Sequence, residues 1–133
     1  MIFIPARIHA IFDYILALLL VVSPWAFESV SATDSLIAPI MLVGIGMFVF
    51  IFALTTDYEL SAVRLIPLSL HITMDVILGL FLLMSPWLFG FENVDHAIHM
   101  MAGVSLIAVA AFTVRSPKKP QTDDDTMQFI QWV

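Results

Sequence analysis

Four long apolar runs, separated by short segments that hold most of the charge, dominate this sequence. They span about residues 6–27, 36–54, 65–89 and 97–114. A helix needs roughly 20 apolar residues to cross the hydrocarbon core of a bilayer. Because lipid cannot satisfy exposed backbone polar groups, such segments are expected to be helical. The sequence therefore predicts an all-α integral membrane protein with four transmembrane helices.

The composition excludes several other classes of protein. Charged residues make up 12% of the chain, which is about half of their share in soluble domains. The 5 basic residues, against 11 acidic ones, provide no basic face for nucleic acid. The absence of cysteine excludes disulfides, thiolate metal sites and thiol catalysis. We expect a protein without enzymatic activity, whose partners are the lipid bilayer, further copies of itself or another membrane protein.

The basic residues lie on one side of the predicted membrane. Arg7 precedes the first run and Arg64 lies between the second and third. The others follow the fourth run: Arg115, Lys118 and Lys119. The connections on the opposite side carry acidic residues alone: Glu28, Asp34, Glu92 and Asp95. The positive-inside rule therefore places both termini in the cytoplasm, with residues 116–133 as a polar cytoplasmic tail.

A repeat with an offset of 62 residues relates the two halves of the chain. Residues 5–27 and 67–89 are identical at 11 of 23 positions. Both copies contain Pro-x3-His-x3-Asp and then Ser-Pro-Trp-x-Phe, a pattern that a leucine-rich composition does not explain. The second runs match more weakly after a three-residue slip, which places Gly44 over Gly103 and Gly46 over Ser105.

The repeating unit is thus a helical hairpin, formed once by residues 1–60 and again by residues 61–115. Each unit has an even number of spans, so both enter the membrane from the same side. They should be related by a pseudo-two-fold axis along the membrane normal. The expected architecture is a four-helix bundle built from two parallel hairpins.

A Ser-Pro-Trp motif ends the first helix of each hairpin. Its residues are Ser23, Pro24, Trp25, Ser85, Pro86 and Trp87. On this motif the chain resembles the SPW repeat family of prokaryotic membrane proteins, over about residues 5–114. The resemblance implies a paired-hairpin fold in the cytoplasmic membrane of a bacterium or archaeon. It implies no activity and no catalytic residue.

Each copy carries a histidine, an aspartate and a small residue at four-residue spacing. They are His9, Asp13 and Ala17 in the first copy, and His71, Asp75 and Gly79 in the second. Residues at this spacing share one helix face, and small residues permit close helix contact. We expect this stripe to face the bundle interior. Each aspartate can pair with the histidine of its own helix, with water, or with the histidine of the other copy in a crossed arrangement.

Three interpretations of the four polar residues remain open. They can be structural, fixing the register between the first and third helices. They can form a proton or small-solute pathway, because ionisable residues within membranes often line such paths. In the third interpretation, His9 and His71 are axial ligands of a haem on the pseudo-axis, and the aspartates orient the imidazoles.

The Ser-Pro-Trp motif and the small residues of the second helices have architectural interpretations. The proline is expected to stop or kink the helix at the preceding residue, and the serine hydroxyl to bond backbone groups freed there. The tryptophan is expected to anchor at headgroup level. The predicted close-packing points of the second helices are Gly44, Gly46, Gly103 and Ser105.

Two further segments are candidates for binding. His96 and His99, with Glu92 and Asp95 nearby, resemble an incomplete zinc or copper site at the outer surface. A solvated helix entrance explains the same residues. In the tail, residues 127–133 are apolar enough to dock at the interface or on a partner, although a mobile terminus is the alternative.

Overall fold

The computed structural model describes residues 4–26, 36–57, 59–92 and 96–113. These residues form four α-helices: α1 (Ala6–Ala26), α2 (Ile37–Thr55), α3 (Leu68–Leu88) and α4 (Ala97–Phe112). The described ranges contain two isolated bridges and no strand. The prediction of an all-helical chain is confirmed. The predictions that concern the tail and Glu28, Asp34 and Asp95 lie outside the described residues.

Three of the four helices are long and apolar enough to cross a membrane: α1, α2 and α3. α4 has 16 residues, so it is about 24 Å long and shorter than a typical hydrocarbon core of about 30 Å. The predicted fourth run continues to residue 114, but the helix ends at Phe112. Thr113 is extended, with φ −77° and ψ 129°, and this conformation stops the helix.

The outward faces of the helices are apolar and the interior is partly polar, the reverse of a soluble bundle. Leu18 and Leu19 are 64% and 59% exposed, whereas the histidine and aspartate of α1 are buried. Exposed apolar surface on this scale marks a contact with lipid or with another protein. The distribution fits helices that lie in hydrocarbon.

The helices pack as two hairpins. α1 packs mainly on α2, and α3 packs mainly on α4. The hairpins contact each other through α1 with α4 and through α2 with α3, over smaller areas. One apolar core connects all four helices. Its buried members include Leu20, Leu42, Val49, Leu82 and Leu106.

Small residues set the close approach of the helices within each hairpin. A Cβ atom on Gly46 would lie 2.9 Å from the Ala17 backbone oxygen, and one on Gly103 would lie 2.7 Å from the Gly79 backbone oxygen. A Cβ on Gly79 would likewise meet the Gly103 oxygen at 2.8 Å. Contacts this short admit only glycine without a shift of the backbone. The predicted close-packing role therefore fits Ala17, Gly46, Gly79 and Gly103.

The predicted packing role is wrong for the other two small residues, Gly44 and Ser105. Gly44 is exposed, and a Cβ there would meet nothing within 4 Å. Ser105 is exposed as well, and its hydroxyl donates to the Met101 carbonyl of its own helix. The contacts of Gly46 correspond to those of Gly103, so the second helices match at an offset of 57 residues rather than 59. Relative to the offset of 62 residues between the first helices, the slip is therefore five residues and not the three predicted from the sequence.

Two short bridges close the end of the bundle where α1 and α3 begin. The Ile4 amide donates to the Phe112 carbonyl at 2.8 Å, and Ile4 bridges to Thr113. The Asp57 amide donates to the Ile66 carbonyl at 2.7 Å, and Ile66 bridges to Thr56. These bridges bring a threonine that follows each second helix next to the start of a first helix, where the histidines lie.

Candidate functional site

Four side chains at this end of the bundle form one buried polar cluster, here called the His–Asp quartet: His9, Asp13, His71 and Asp75. All four are almost completely shielded from solvent. α1 supplies the first pair and α3 the second, each at the four-residue spacing of one helix face. The stripe predicted from the sequence therefore faces the interior.

The quartet is closed by contacts within and between the two helices. His71 Nε2 lies 2.9 Å from Asp13 Oδ2, in a hydrogen bond between α3 and α1. His9 Nε2 lies 3.2 Å from Asp75 Oδ2 in the opposite direction. The contacts within each helix are similar, at 3.1 Å in α1 and 3.3 Å in α3. The crossed arrangement is present, and each imidazole faces both carboxylates.

The other nitrogen of each imidazole contacts a buried threonine. His9 Nδ1 lies 2.7 Å from Thr113 Oγ1, and His71 Nδ1 lies 2.7 Å from Thr56 Oγ1. Each hydroxyl also donates to a backbone carbonyl of its own helix, Thr113 at 2.6 Å and Thr56 at 2.7 Å. A hydroxyl has one hydrogen, which the carbonyl receives, so the threonine oxygen accepts from the imidazole. Both histidines thus carry a hydrogen on Nδ1.

Every threonine and crossed aspartate contact of this network joins one hairpin to the other. His9 in α1 contacts Thr113 after α4 and Asp75 in α3. His71 in α3 contacts Thr56 after α2 and, through its other nitrogen, the aspartate of α1. Within the hairpins, by contrast, the close contacts are made by glycine and aliphatic residues. Polar side chains therefore join the two hairpins, in addition to the backbone bridges at the same end of the bundle.

The quartet is almost, but not fully, satisfied. His9 Nε2 and Asp75 Oδ2 are buried and lack a hydrogen bond of good geometry, although they face each other at 3.2 Å. A buried polar atom without a partner costs about 1–3 kcal/mol. The two atoms mark the place in the network where a further group, a proton or an ion, would find free electron pairs.

A porphyrin does not match the geometry between the histidines. The two imidazole rings meet edge to face, with centroids 5.3 Å apart at 70°. Both aspartates lie against the same Nε2 atoms that would ligate the iron. The carboxylates therefore occupy the space that a porphyrin plane would require, and the site favours a small ion over a haem.

The surroundings of the quartet differ between the two repeats. Asp13 lines a crevice of about 200 Å³ between α1 and α4, together with Leu16, Ser105 and Val109. At the offset of 57 residues, the positions that match Ser105 and Val109 hold phenylalanines in α2. These two, Phe48 and Phe52, stack with centroids 4.5 Å apart, and Phe52 lies 6.0 Å from the His71 ring. Aromatic rings thus occupy the positions that correspond to Ser105 and Val109.

The Ser-Pro-Trp motif has a specific backbone role. Pro24 and Pro86 lie inside their helices, which continue for two further residues, so the proline does not stop the helix, which was one of the two predicted effects beside a kink. Proline has no N–H for the carbonyl four residues earlier. The preceding serine hydroxyl donates to that carbonyl instead, from Ser23 to Leu20 at 3.0 Å and from Ser85 to Leu82 at 2.8 Å.

The tryptophans of the motif point away from the core. Trp25 and Trp87 are 64% and 60% exposed, at the opposite end of their helices from the histidines. Trp87 also lies near the His96 ring, with centroids 6.0 Å apart. An exposed indole at a helix end fits an anchor at the membrane interface.

The second candidate metal pair does not form a ligand cluster with the described residues. His99 is buried against Phe91, with ring centroids 4.9 Å apart, and so does not lie at a solvated helix entrance. His96 is half-buried. Across the described parts of the chain, at least three convergent histidine or carboxylate ligands are found at the His–Asp quartet and not at this pair.

Thr56 and Thr113 are the functional residues that the sequence analysis missed. Both are buried and both orient a histidine. A pattern that could have identified them is Gly-x6-Ala-x2-Thr, which begins at Gly46 and again at Gly103. This pattern also gives the offset of 57 residues directly.

A protein-family model for the SPW repeat domain matches residues 7–113. The match includes both hairpins and the whole polar network, and it ends at Thr113. No curated protein and no solved structure matches the chain.

Proposed function

The chain belongs to the SPW repeat family, and from that premise we propose that it is a non-enzymatic membrane protein in which the polar network locks two hairpins together. The hairpins lie parallel in the cytoplasmic membrane of a bacterium or archaeon, related by a pseudo-two-fold axis along the membrane normal. Arg7 and Arg64 lie at the same end as the quartet, which supports cytoplasmic termini. The bilayer is its principal partner.

One observation carries the proposal: the buried histidines of each hairpin bond polar side chains of the other hairpin, whereas the closest contacts within each hairpin are made at glycines. His71 bonds Asp13 across the interface at 2.9 Å, and each Nδ1 bonds a threonine of the other hairpin at 2.7 Å. In lipid the hydrophobic effect does not drive helices together, so packing and polar contacts decide their arrangement. The network supplies contacts that one alignment alone satisfies.

The energetic effect lies in specificity more than in gross stability. Interhelical hydrogen bonds in membranes contribute about 0.6 kcal/mol each on average. A shift of α1 by one turn would separate Asp13 from His71 and leave a carboxylate unpaired. An unpaired charge at the centre of a helix costs about 2.5–3.5 kcal/mol on insertion scales. The misaligned bundle is therefore penalised more strongly than the aligned one is stabilised.

The test is a double-mutant cycle with Asp13→Asn, Asp75→Asn and both together. Unfolding of the full chain in detergent is followed with a chelator present. We expect each single variant to lose about 1–3 kcal/mol of stability, because each removes one of the two carboxylates that both imidazoles face. Asp13→Asn should lose more, since Asp13 Oδ2 makes the two shortest contacts, at 2.9 and 3.1 Å.

The double variant should lose less than the sum of the singles, because both act on one network. Asp57→Asn is the control, since this exposed carboxylate pairs only loosely with Arg64 at 3.7 Å. Variants as stable as the wild type, or strictly additive losses, would contradict a locking role.

A proton or small-solute pathway is the second candidate, supported by the crevice beside Asp13. Its test is proton flux in proteoliposomes loaded with a pH-sensitive dye. Ser105→Phe would copy the aromatic filling of the other side and should stop the flux, while Asp57→Asn should leave it unchanged. Flux no greater than that of empty liposomes would exclude this candidate.

A further inference from the structure

The direction of the threonine hydrogen bonds determines which nitrogen of each histidine can bind a further group. Because each Nδ1 donates its hydrogen to a threonine, the ligand atom is Nε2. In the metal-free quartet the Nε2 of His71 shares a proton with Asp13, and a bound ion would displace that proton to solvent. Both Nε2 atoms point into the quartet, where they face the carboxylate oxygens of Asp13 and Asp75. Two nitrogens and two oxygens with available electron pairs thus converge on one point.

Their spacing suits a metal ion. The four N···O distances in the quartet are 2.9, 3.1, 3.2 and 3.3 Å, and all four ligand atoms lie within 4.8 Å of one another. Two ligands about 2.1 Å from a tetrahedral zinc ion are separated by about 3.4 Å. The four N···O distances are close to this value, and the longer separations among the ligand atoms, up to 4.8 Å, would shorten by up to about 1.4 Å around the ion.

Charge and outer contacts favour the same occupant. Two carboxylates would balance a divalent cation, so the loaded quartet would be neutral in an apolar interior. An imidazole that ligates a metal ordinarily donates its other N–H to an oxygen that fixes the ring, as both histidines do here with Thr56 and Thr113. The unpartnered His9 Nε2 and Asp75 Oδ2 would each gain a bond.

We propose that the quartet binds one divalent transition-metal ion, of the class of Zn²⁺, through Nε2 of His9 and His71 and one oxygen each of Asp13 and Asp75. This inference rests on the proposed locking function and adds to it, because an ion bound by α1 and α3 would link the two hairpins directly. Imidazole ligands favour such ions over Mg²⁺.

The experiment uses the full chain in detergent, stripped with a chelator and dialysed. Zinc content and unfolding temperature are measured after addition of Zn²⁺ alone. The wild type should bind one Zn²⁺ per chain and unfold at a higher temperature, whereas Mg²⁺ should change neither. Asp75→Asn should weaken zinc binding at least tenfold, and His96→Gln, outside the quartet, should bind as the wild type does.

Thr113→Val serves as a second variant that keeps all four ligands. It should weaken zinc binding by about 10–100-fold, and Thr113→Ser should restore it. A folded wild type that takes up no zinc would overturn the proposal, as would unchanged binding by Asp75→Asn or by Thr113→Val, or loss of binding in His96→Gln. If Asp75→Asn does not fold, the comparison of Thr113→Val with Thr113→Ser provides the test of the metal site.

The metal and locking proposals can fail separately. The double-mutant cycle is measured with a chelator, so a loss of stability there supports the lock whether or not zinc binds. If the variants lose stability and the wild type ignores zinc, the metal site is refuted and the lock stands. If zinc binds but the metal-free variants are as stable as the wild type, the lock without metal is refuted.

Discussion

Gly44 and Gly46 provide a matched test of how α2 packs on α1. Both lie in the interior of the same helix, two residues apart. A Cβ on Gly46 would lie 2.9 Å from the Ala17 oxygen, and a Cβ on Gly44 would meet nothing within 4 Å. The methyl group added by alanine would therefore collide with backbone at Gly46 and lie in open space at Gly44.

The expected magnitude follows from two effects. Replacing glycine by alanine within a helix is favourable by up to about 1 kcal/mol, and this gain is shared by both variants. Overpacking costs about 1–3 kcal/mol, and it applies to Gly46 alone because a backbone oxygen cannot rotate aside. Gly44→Ala should be neutral or slightly stabilising. Gly46→Ala should be less stable than Gly44→Ala by about 1–3 kcal/mol.

The assay is reversible unfolding of both variants and the wild type in mixed micelles, followed by far-ultraviolet circular dichroism. The difference between the two variants isolates crowding at the crossing, because the helix propensity effect cancels. Equal free energies of unfolding would refute the assigned face of α2. A less stable Gly44→Ala would instead support the register taken from the three-residue slip.

Two further predictions concern the side-chain hydrogen bonds of Ser85 and Thr56. Ser85→Ala should lower the free energy of unfolding by about 1–3 kcal/mol, because the buried Leu82 carbonyl then lacks a donor. Adding Pro86→Ala restores the backbone N–H and should recover much of this loss. Additive losses in the same unfolding assay would contradict this role of the serine. Thr56→Val should lose about 1–3 kcal/mol, because the Nδ1 hydrogen of His71 loses its acceptor. Thr56→Ser should unfold as the wild type does, and a Thr56→Val variant as stable as Thr56→Ser would contradict the assigned hydrogen bond.

The sequence predicted the first helix of each hairpin well, because a strong repeat and a local spacing both apply there. His9 and Asp13 recur at the same offset as the flanking proline and the Ser-Pro-Trp motif, so chance similarity was excluded. Four-residue spacing then placed the pair on one face before any tertiary contact was known. The crossed contacts followed from the two-fold relation of the copies.

The second helices were predicted less well, because glycine and aliphatic residues carry little positional information. Gly44 and Gly46 are two residues apart, so either could be matched to Gly103. The choice of the wrong one shifted the register by two residues and hid the match between Thr56 and Thr113. Close approach is a property of two helices together, and one sequence window does not contain it.

The threonine contacts also explain why the metal site could not be predicted from the sequence. From the sequence, His9 and Asp13 allow a structural pair, a relay, or a haem-ligating histidine with an aspartate that orients it, because the proton position on the imidazole is undefined. The carbonyl acceptor of Thr113 fixes that position, since it uses the one hydroxyl hydrogen. A contact outside the quartet thus determines which electron pairs the quartet offers.

The surroundings of the two aspartates differ, whereas the polar network itself is the same in both repeats. The repeats have therefore diverged in the access of a proton or an ion to the network. Each copy keeps its histidine, its aspartate and its threonine, while the residues that flank them in α2 and α4 differ in size. Phe48 and Phe52 lie on one side, and Ser105 and Val109 line a crevice at Asp13 on the other. A purely structural lock requires equal packing on both sides, because each empty volume weakens the contacts that line it. The crevice at Asp13 therefore predicts that exchange of a proton or an ion with the quartet proceeds from the α1–α4 side, and that Ser105→Phe slows it without changing the ligands.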